Sequence, residues 1–498
     1  MRLLFTPGVT TETSGRWVTA TGGKFARLAY MFPIREPQPT AAEPSSGNTP
    51  PRLVLPEWTD GSTSRFVVRM LSDAAFDTKV DIGLPVAHWR QDFPRVLTAL
   101  AALPYESEVP FATEFLHYIH TTSALPRREE TDPFQPYVLG AYNTPTARYV
   151  AEKSQPAVLE RLANLAAVDL SQQTVAAQQA MQTVVDHPSL LAMEGVNIVV
   201  IGGDAACSPA AVLAACGARV HVVSRHAAPR IAGEYARLVA DVLLDTDSIV
   251  EYIAALPGPV LIVSTVYAPG SQHVHLAVAL DAIIAHVVGR RSDVTVCIPG
   301  SPTESYTTVE GKPTGAVLVA QGPNYAVAKF IERARLLLLA DAHYQATCET
   351  PSGNASGYPA NLDGVAGRLD PITGGAPAKR GARVIRMVLP PTLSSSVLRD
   401  RRIEKALAAA PRVGIHPTTV PDTQCAAAAL LAVGWWQATQ HPRPAFPPRL
   451  SVAPEFAIHG GLWFSRLPVT WRLVIGMVKA ALPTPRKVKG RSTKRKVF

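Results

Sequence analysis

The hydrophobic pattern changes character along the chain. From about residue 196 onward, short apolar runs rich in β-branched residues recur: Val196–Ile201, Val220–Val223, Val260–Ser264, Val294–Ile298 and Val384–Leu389. Runs of this length bounded by Gly, Pro and Asp read as buried strands. Between them, Ala210–Cys216, Ile231–Val242, Val274–Val288 and Ala326–Ala340 carry apolar residues at helical spacing. Strands alternating with helices predict βαβ units, hence an α/β fold with a doubly wound parallel sheet of the Rossmann type. Right-handed crossovers then place all strand C-termini on one edge, where ligands bind. Upstream, Thr146–Val185 is patterned as helix, Phe93–Leu103 likewise, and Phe66–Met70 as a strand.

Irregular stretches divide this pattern. Residues 37–51 (PQPTAAEPSSGNTPP) and 126–137 (PRREETDPFQPY) read as connectors, 345–381 as a long insertion, and 441–455 as a Pro-rich irregular segment. The 44 prolines of the 498-residue chain fit long irregular connections around folded parts. The predicted organisation is an N-terminal extension and linker over 1–51, then a region of unassigned α+β fold over 52–190, mostly helical after 146. An α/β domain over 191–465 and a C-terminal helix with a basic tail over 466–498 complete it.

Charge changes the picture only at the ends. The net charge is +9, but 486–496 alone holds seven basic residues and no acid, so the remainder carries +2. A nearly neutral body with a basic tail implies either a solvated terminus or a docking segment for RNA or another polyanion. Arg2, Arg16, Lys24 and Arg27 against the single Glu12 suit an organellar transit segment, which gives a mitochondrial matrix location, with the cytoplasm as alternative. Five scattered cysteines without CxxC spacing argue against a disulfide framework and a zinc site. Val469–Leu482 is too short, and too charged through Arg472 and Lys479, for a membrane span, so no transmembrane segment is expected.

The candidate chemistry sits on the α/β pattern. Tyr325 and Lys329 are four apart, on one face of a predicted helix, so an ammonium can lie near a phenol and favour its ionised form. Glu194–Gly203 runs from a strand into a glycine turn, and Gly217–Arg225 forms a second strand ending in a basic residue. Asp245-Thr246-Asp247 is an acidic turn, and Gly381–Pro391 is a strand closed by proline. In this order the segments resemble the short-chain dehydrogenase/reductase family over about 192–435, and Tyr325-Ala326-Val327-Ala328-Lys329 resembles its YxxxK motif. The resemblance implies an oxidoreductase that interconverts a carbonyl and an alcohol with NADP or NAD. Tyr325 is then the acid/base and Lys329 its tuner and the holder of the cofactor ribose. Ser301 (or Ser305) orients the substrate oxygen, and His275 stands where the family keeps a proton-relay asparagine. Gly202, Gly203, Ala206, Arg225, Asp245 and Lys329 are the implied cofactor-binding residues, Arg225 pointing to NADP. A hairpin through Tyr306–Val319 absorbs the long step from Ser301 to Tyr325, and pairing of two copies through the helices at 274–288 and 326–340 is implied as well.

The sequence also departs from that family. Gly202-Gly203-Asp204-Ala205-Ala206-Cys207-Ser208-Pro209 lacks the later glycines and puts a carboxylate beside the expected pyrophosphate. Val266-Tyr267-Ala268-Pro269-Gly270 stands where Asn-Ala-Gly is expected. Two functions are therefore carried forward: an active NAD(P)-dependent oxidoreductase, and a scaffold subunit of a larger complex, RNA-containing and organellar, that keeps the fold without the reaction.

Overall fold

The strand signals resolve into one twisted sheet in the computed structural model. It describes residues 50–463 except 85–87, 127, 129–131, 133, 142–144, 227–234, 308–312, 315–321, 349–380, 394–409, 441–448 and 450–451. The insertion of 345–381, the segment 441–455 and the C-terminal tail thus lie mostly or wholly outside the described residues, and the N-terminal extension almost entirely so.

Three helices open the described chain: α1 (Thr63–Asp77), α2 (Trp89–Ala101) and α3 (Tyr105–Thr122). Strand β1 (Tyr137–Ala141), α4 (Pro145–Ala166) and α5 (Val175–Asp186) follow. The α/β succession is β2 (Asn197–Ile201), α6 (Ala210–Ala215), β3 (Val220–Ser224), β4 (Tyr235–Val239), α7 (Thr246–Ala254), β5 (Val260–Ser264), α8 (Ser271–Arg290) and β6 (Val294–Cys297). After a small hairpin, β7 (Tyr306–Thr307) with β8 (Pro313–Thr314), come α9 (Gly322–Cys348), β9 (Arg383–Ile385) and β10 (Met387–Val388). A short pair, β11 (Thr392–Leu393) and β12 (Thr418–Thr419), leads to α10 (Val420–Gln440) and β13 (Phe456–Ala457).

The sheet order is β1-β4-β3-β2-β5-β6-β9, parallel throughout except for β1. Without β1, the parallel strands run third-second-first-fourth-fifth-sixth, the doubly wound Rossmann-like order. Strand β9 continues as β10, against which β13 pairs in parallel. The direction of winding reverses at β2, which pairs with β3 on one side and β5 on the other. The glycine turn beyond Ile201 thus lies at the switch point, where sheets of this order bind ligands.

Strand side chains alternate between two cores. Val199, Ile201, Val223, Ile262 and Val296 join one core with α7, α8 and α9; Ile198, Val200, Val222, Leu261 and Val263 join the other with α4, α5, α6 and α10. Both faces are covered, which is why these strands read as unbroken apolar runs. Helix α8 is long and apolar enough to span a membrane by composition, yet 14 of its 20 residues are buried in the protein.

Two expectations change. Phe66–Met70 is not a strand but part of α1, whose buried Phe66, Val67, Met70, Leu71, Ala74 and Ala75 form one helical stripe; Ser62 caps the helix by accepting from the Arg65 amide. The part of 231–242 that is described contains β4 instead of a helix: Tyr235–Val239 is held between β1 and β3, and pairing overrides its weak helical pattern. Helices α1–α3 pack on α8 and α9 and share their core, with the Phe115 ring 5.2 Å from that of Phe330. The faces of α8 and α9 that the resemblance assigns to a second copy are thus covered by α1–α3 of the same chain.

Candidate functional site

The parallel topology brings the candidate catalytic residues to the C-terminal strand edge. Chain leaving β6 passes through Pro299-Gly300 to Ser301, and α9 begins beside it with Tyr325 and Lys329 one turn apart. Ser301 lies near enough to Tyr325 to favour its ionised phenol, and the Ser301 Oγ is 2.7 Å from Thr303 Oγ1. Three residues chosen from sequence, Ser301, Tyr325 and Lys329, are therefore brought together. The step between Ser301 and Tyr325 does contain a hairpin, β7–β8.

Their electrostatics run against the expected chemistry. Burial pushes the Tyr325 phenol up to about 12; Lys329 and Ser301 pull it down, and the carboxylates of Glu304 and Glu332 push it up again. Burial works against the Lys329 ammonium, but Glu332 foremost, with Tyr325 and Glu304, outweighs it and holds Lys329 charged above its ordinary range. Lys329 Nζ donates to Glu332 Oε2 at 2.6 Å and to the Pro299 carbonyl at 3.1 Å. Its charge is thus spent largely on a buried carboxylate one turn along α9. The only shift that would make Tyr325 a ready base near neutral pH is a downward one.

His275 lies outside this group. Its Nε2 is 3.0 Å from Thr63 Oγ1, so it ties α8 to α1. Two residues earlier, His273 takes the place beside Tyr325: the ring centroids are 5.2 Å apart, and Tyr267 completes an edge-on aromatic cluster. His273 is almost fully buried, with both ring nitrogens unpartnered. Burial, aided by Lys329, depresses it to about 3, which keeps it neutral.

A pocket of about 20 Å³ adjoins Tyr325, bounded by Leu97 and Ala101 of α2 and by Glu304, Ser305 and Arg333. That is room for about one water molecule. Trp463 closes the neighbouring loop, its indole donating to the Pro302 carbonyl at 3.2 Å.

The dinucleotide side can be tested residue by residue. Gly202 has φ +78°, and a Cβ there would lie 2.9 Å from the Val266 amide nitrogen, because the chain after β5 presses on the turn. Thr265 Oγ1 donates to the Gly202 carbonyl at 2.8 Å. A Cβ on Gly203 would meet Val222 at 2.7 Å. Both glycines thus serve close packing within the protein. Ala206 is exposed, while the Ala205 and Ser208 amides are spent inside the turn on the Gly202 and Ala205 carbonyls. Helix α6, which would cap a pyrophosphate, has only six residues.

The charged groups are engaged as well. Asp204 turns inward to a two-pronged contact with Arg237. Asp245 accepts both Arg128 Nε and Nη2 at 2.7 Å and the Asp241 amide, so the connector of 126–137 reaches this edge. Arg225 is exposed, with Asp241 at 3.8 Å. The charged groups expected to meet NADP or NAD thus have partners inside the chain. Sequence reasoning missed Glu332, Arg237, Arg128 and His273. Of these, only Glu332 had a local signal, three residues after Lys329 on the same helical face.

No protein-family model and no curated protein matches the chain. Among solved structures, the MalC reductase/Diels-Alderase from Malbranchea aurantiaca is similar at 12% sequence identity and a TM-score of 0.31, over 55% of this chain and 98% of that one.

Proposed function

We propose that the chain is a divergent short-chain dehydrogenase/reductase-like protein that has kept the fold and the Ser301–Tyr325–Lys329 placement and works as a structural subunit. The observation that carries this reading is the pairing of every charged group assigned to the cofactor: Lys329 with Glu332, Asp245 with Arg128, and Arg225 with Asp241. A ligand that broke the Lys329–Glu332 or Asp245–Arg128 pair would leave a buried charge behind, whereas the exposed Arg225 is held only weakly. The basic tail over 486–496 supports a polyanionic partner such as RNA within a larger assembly, in an organelle such as the mitochondrial matrix.

The second reading, an active NAD(P)-dependent oxidoreductase on a carbonyl/alcohol pair, is favoured by the nearness of Ser301 to Tyr325 at the start of α9. Calorimetric titration with NADPH and NADH separates the two. The scaffold reading expects no saturable binding up to millimolar concentration; a dissociation constant below roughly 100 µM, about 5.5 kcal/mol of binding at least, would sink it. Turnover of carbonyl substrates that disappears in Tyr325→Phe would do the same. For the tail, RNA retention should fall on deleting 484–498 and weaken steeply with salt.

A further inference from the structure

We infer that Arg237 forms the centre of an oxyanion site whose occupant is the chain's own Asp204 carboxylate. The inference rests on the proposed loss of the dinucleotide and names what fills the vacated edge of the sheet.

Arg237 lies in β4, flanked by β1 and β3, and is the largest fully buried side chain among the described residues. A guanidinium there needs a counter-charge, because a buried unpaired cation is costly. Nη1 and Nη2 meet the two Asp204 oxygens at 2.9 and 3.1 Å, and Nη1 also donates to the His226 carbonyl at 3.2 Å. The Ser224 hydroxyl donates to the same carboxylate. A planar fork with a hydroxyl beside it suits a carboxylate and a phosphate group alike.

Two further observations mark this as an anion site with a built-in occupant. Arg237 Nε is buried with no acceptor, so the donor set is not exhausted by the carboxylate. The occupant also comes from the glycine turn itself: Gly203, with no side chain, lets the turn press on Val222 and delivers the next residue, Asp204, to Ser224 at the end of β3 and to Arg237 in β4. The chemical class that competes with Asp204 is a single oxyanion group, inorganic phosphate or a phosphate monoester.

The experiment compares the full chain as wild type, Asp204→Ala and the double variant Asp204→Ala/Arg237→Met. Thermal unfolding is followed against inorganic phosphate, with chloride at matched ionic strength. Asp204→Ala should melt below the wild type and regain roughly 2–4 °C or more, saturably, as phosphate occupies the fork. Wild type and double variant should show no such saturable rise, and the double variant should recover part of the stability lost in Asp204→Ala. A phosphate response in Asp204→Ala no larger than in wild type, or a double variant no more stable than Asp204→Ala, overturns the inference. If Asp204→Ala does not fold, Asp204→Asn carries the same titration, since an amide keeps the volume and leaves Arg237 uncompensated; an unresponsive Asp204→Asn counts equally against it. Dinucleotide binding by the wild type would instead defeat the proposed function, so the two failures are read from different proteins.

Discussion

Replacing Asp281 with alanine should loosen the hold of α3 on α8 and α9. Asp281 on α8 bonds His120 of α3 through one oxygen, and Arg335 of α9 at 2.6 and 3.0 Å through both. The three side chains are 1%, 2% and 4% exposed, so no water can take over when one is removed. The alanine variant leaves a guanidinium buried without a counter-charge, which costs about 3–5 kcal/mol. Against a total stability of roughly 5–15 kcal/mol, that is about a fifth or more. Urea denaturation at pH 7 measures it from the midpoint and slope. The double variant Asp281→Leu/Arg335→Met, which removes both charges, should recover most of the loss. A cost below about 1 kcal/mol for Asp281→Ala, or no recovery in the double variant, would refute the assignment of this triad as the pin between α3, α8 and α9. The same group sets an acid limit. Burial alone would raise the Asp281 carboxyl, but Arg335 and then His120 outweigh it and hold it well below the usual carboxylate range. A depressed carboxylate contributes stability that is complete above its unfolded value of about 3.9 and is lost as pH falls below that.

Other outcomes follow from single sites. Gly202→Ala should destabilise by about 1–3 kcal/mol or more, since φ is +78° and the new Cβ would meet the Val266 backbone at 2.9 Å; a neutral result in chemical denaturation would contradict the packing role given to this turn. Phe115→Ala should cost about 3–5 kcal/mol, as the ring is fully buried between Phe111 and Phe330, and differential scanning calorimetry should show a clearly lowered melting temperature. Burial depresses His221, His275 and His459 to about 4, and His273 to about 3, so the unfolded chain binds more protons than the folded one between these values and about 6.5. Stability should be complete above pH 6.5 and decline as pH falls toward 4, and His221→Gln should make that slope shallower; an unchanged slope would show that His221 is not one of the groups responsible.

What could be read directly was whatever depends on neighbours along the chain. Val260–Ser264 and Val294–Cys297 announce themselves as strands because both faces of the sheet are covered, so every residue in them is apolar or small. Tyr325 and Lys329 were legible because a helix turns a spacing of four into a contact. Where local preference was weak, pairing decided: Tyr235–Val239 became a strand only through the partners offered by β1 and β3. Several partners of the candidate-site charges lie far off in sequence. Arg237 is 33 residues from Asp204, and Arg128 is 117 from Asp245. His273 rather than His275 reaches Tyr325 because residues two apart on a helix point to different sides, and the rotation of α8 is fixed by Thr63 and Asp281. The sequence by itself thus determined the α/β alternation, the strand edge at which chemistry would sit and the tyrosine–lysine pair. Only the tertiary structure determined which partners the charged groups at that edge have, because a buried charge is satisfied by whatever opposite charge the fold brings nearest, at any distance along the chain.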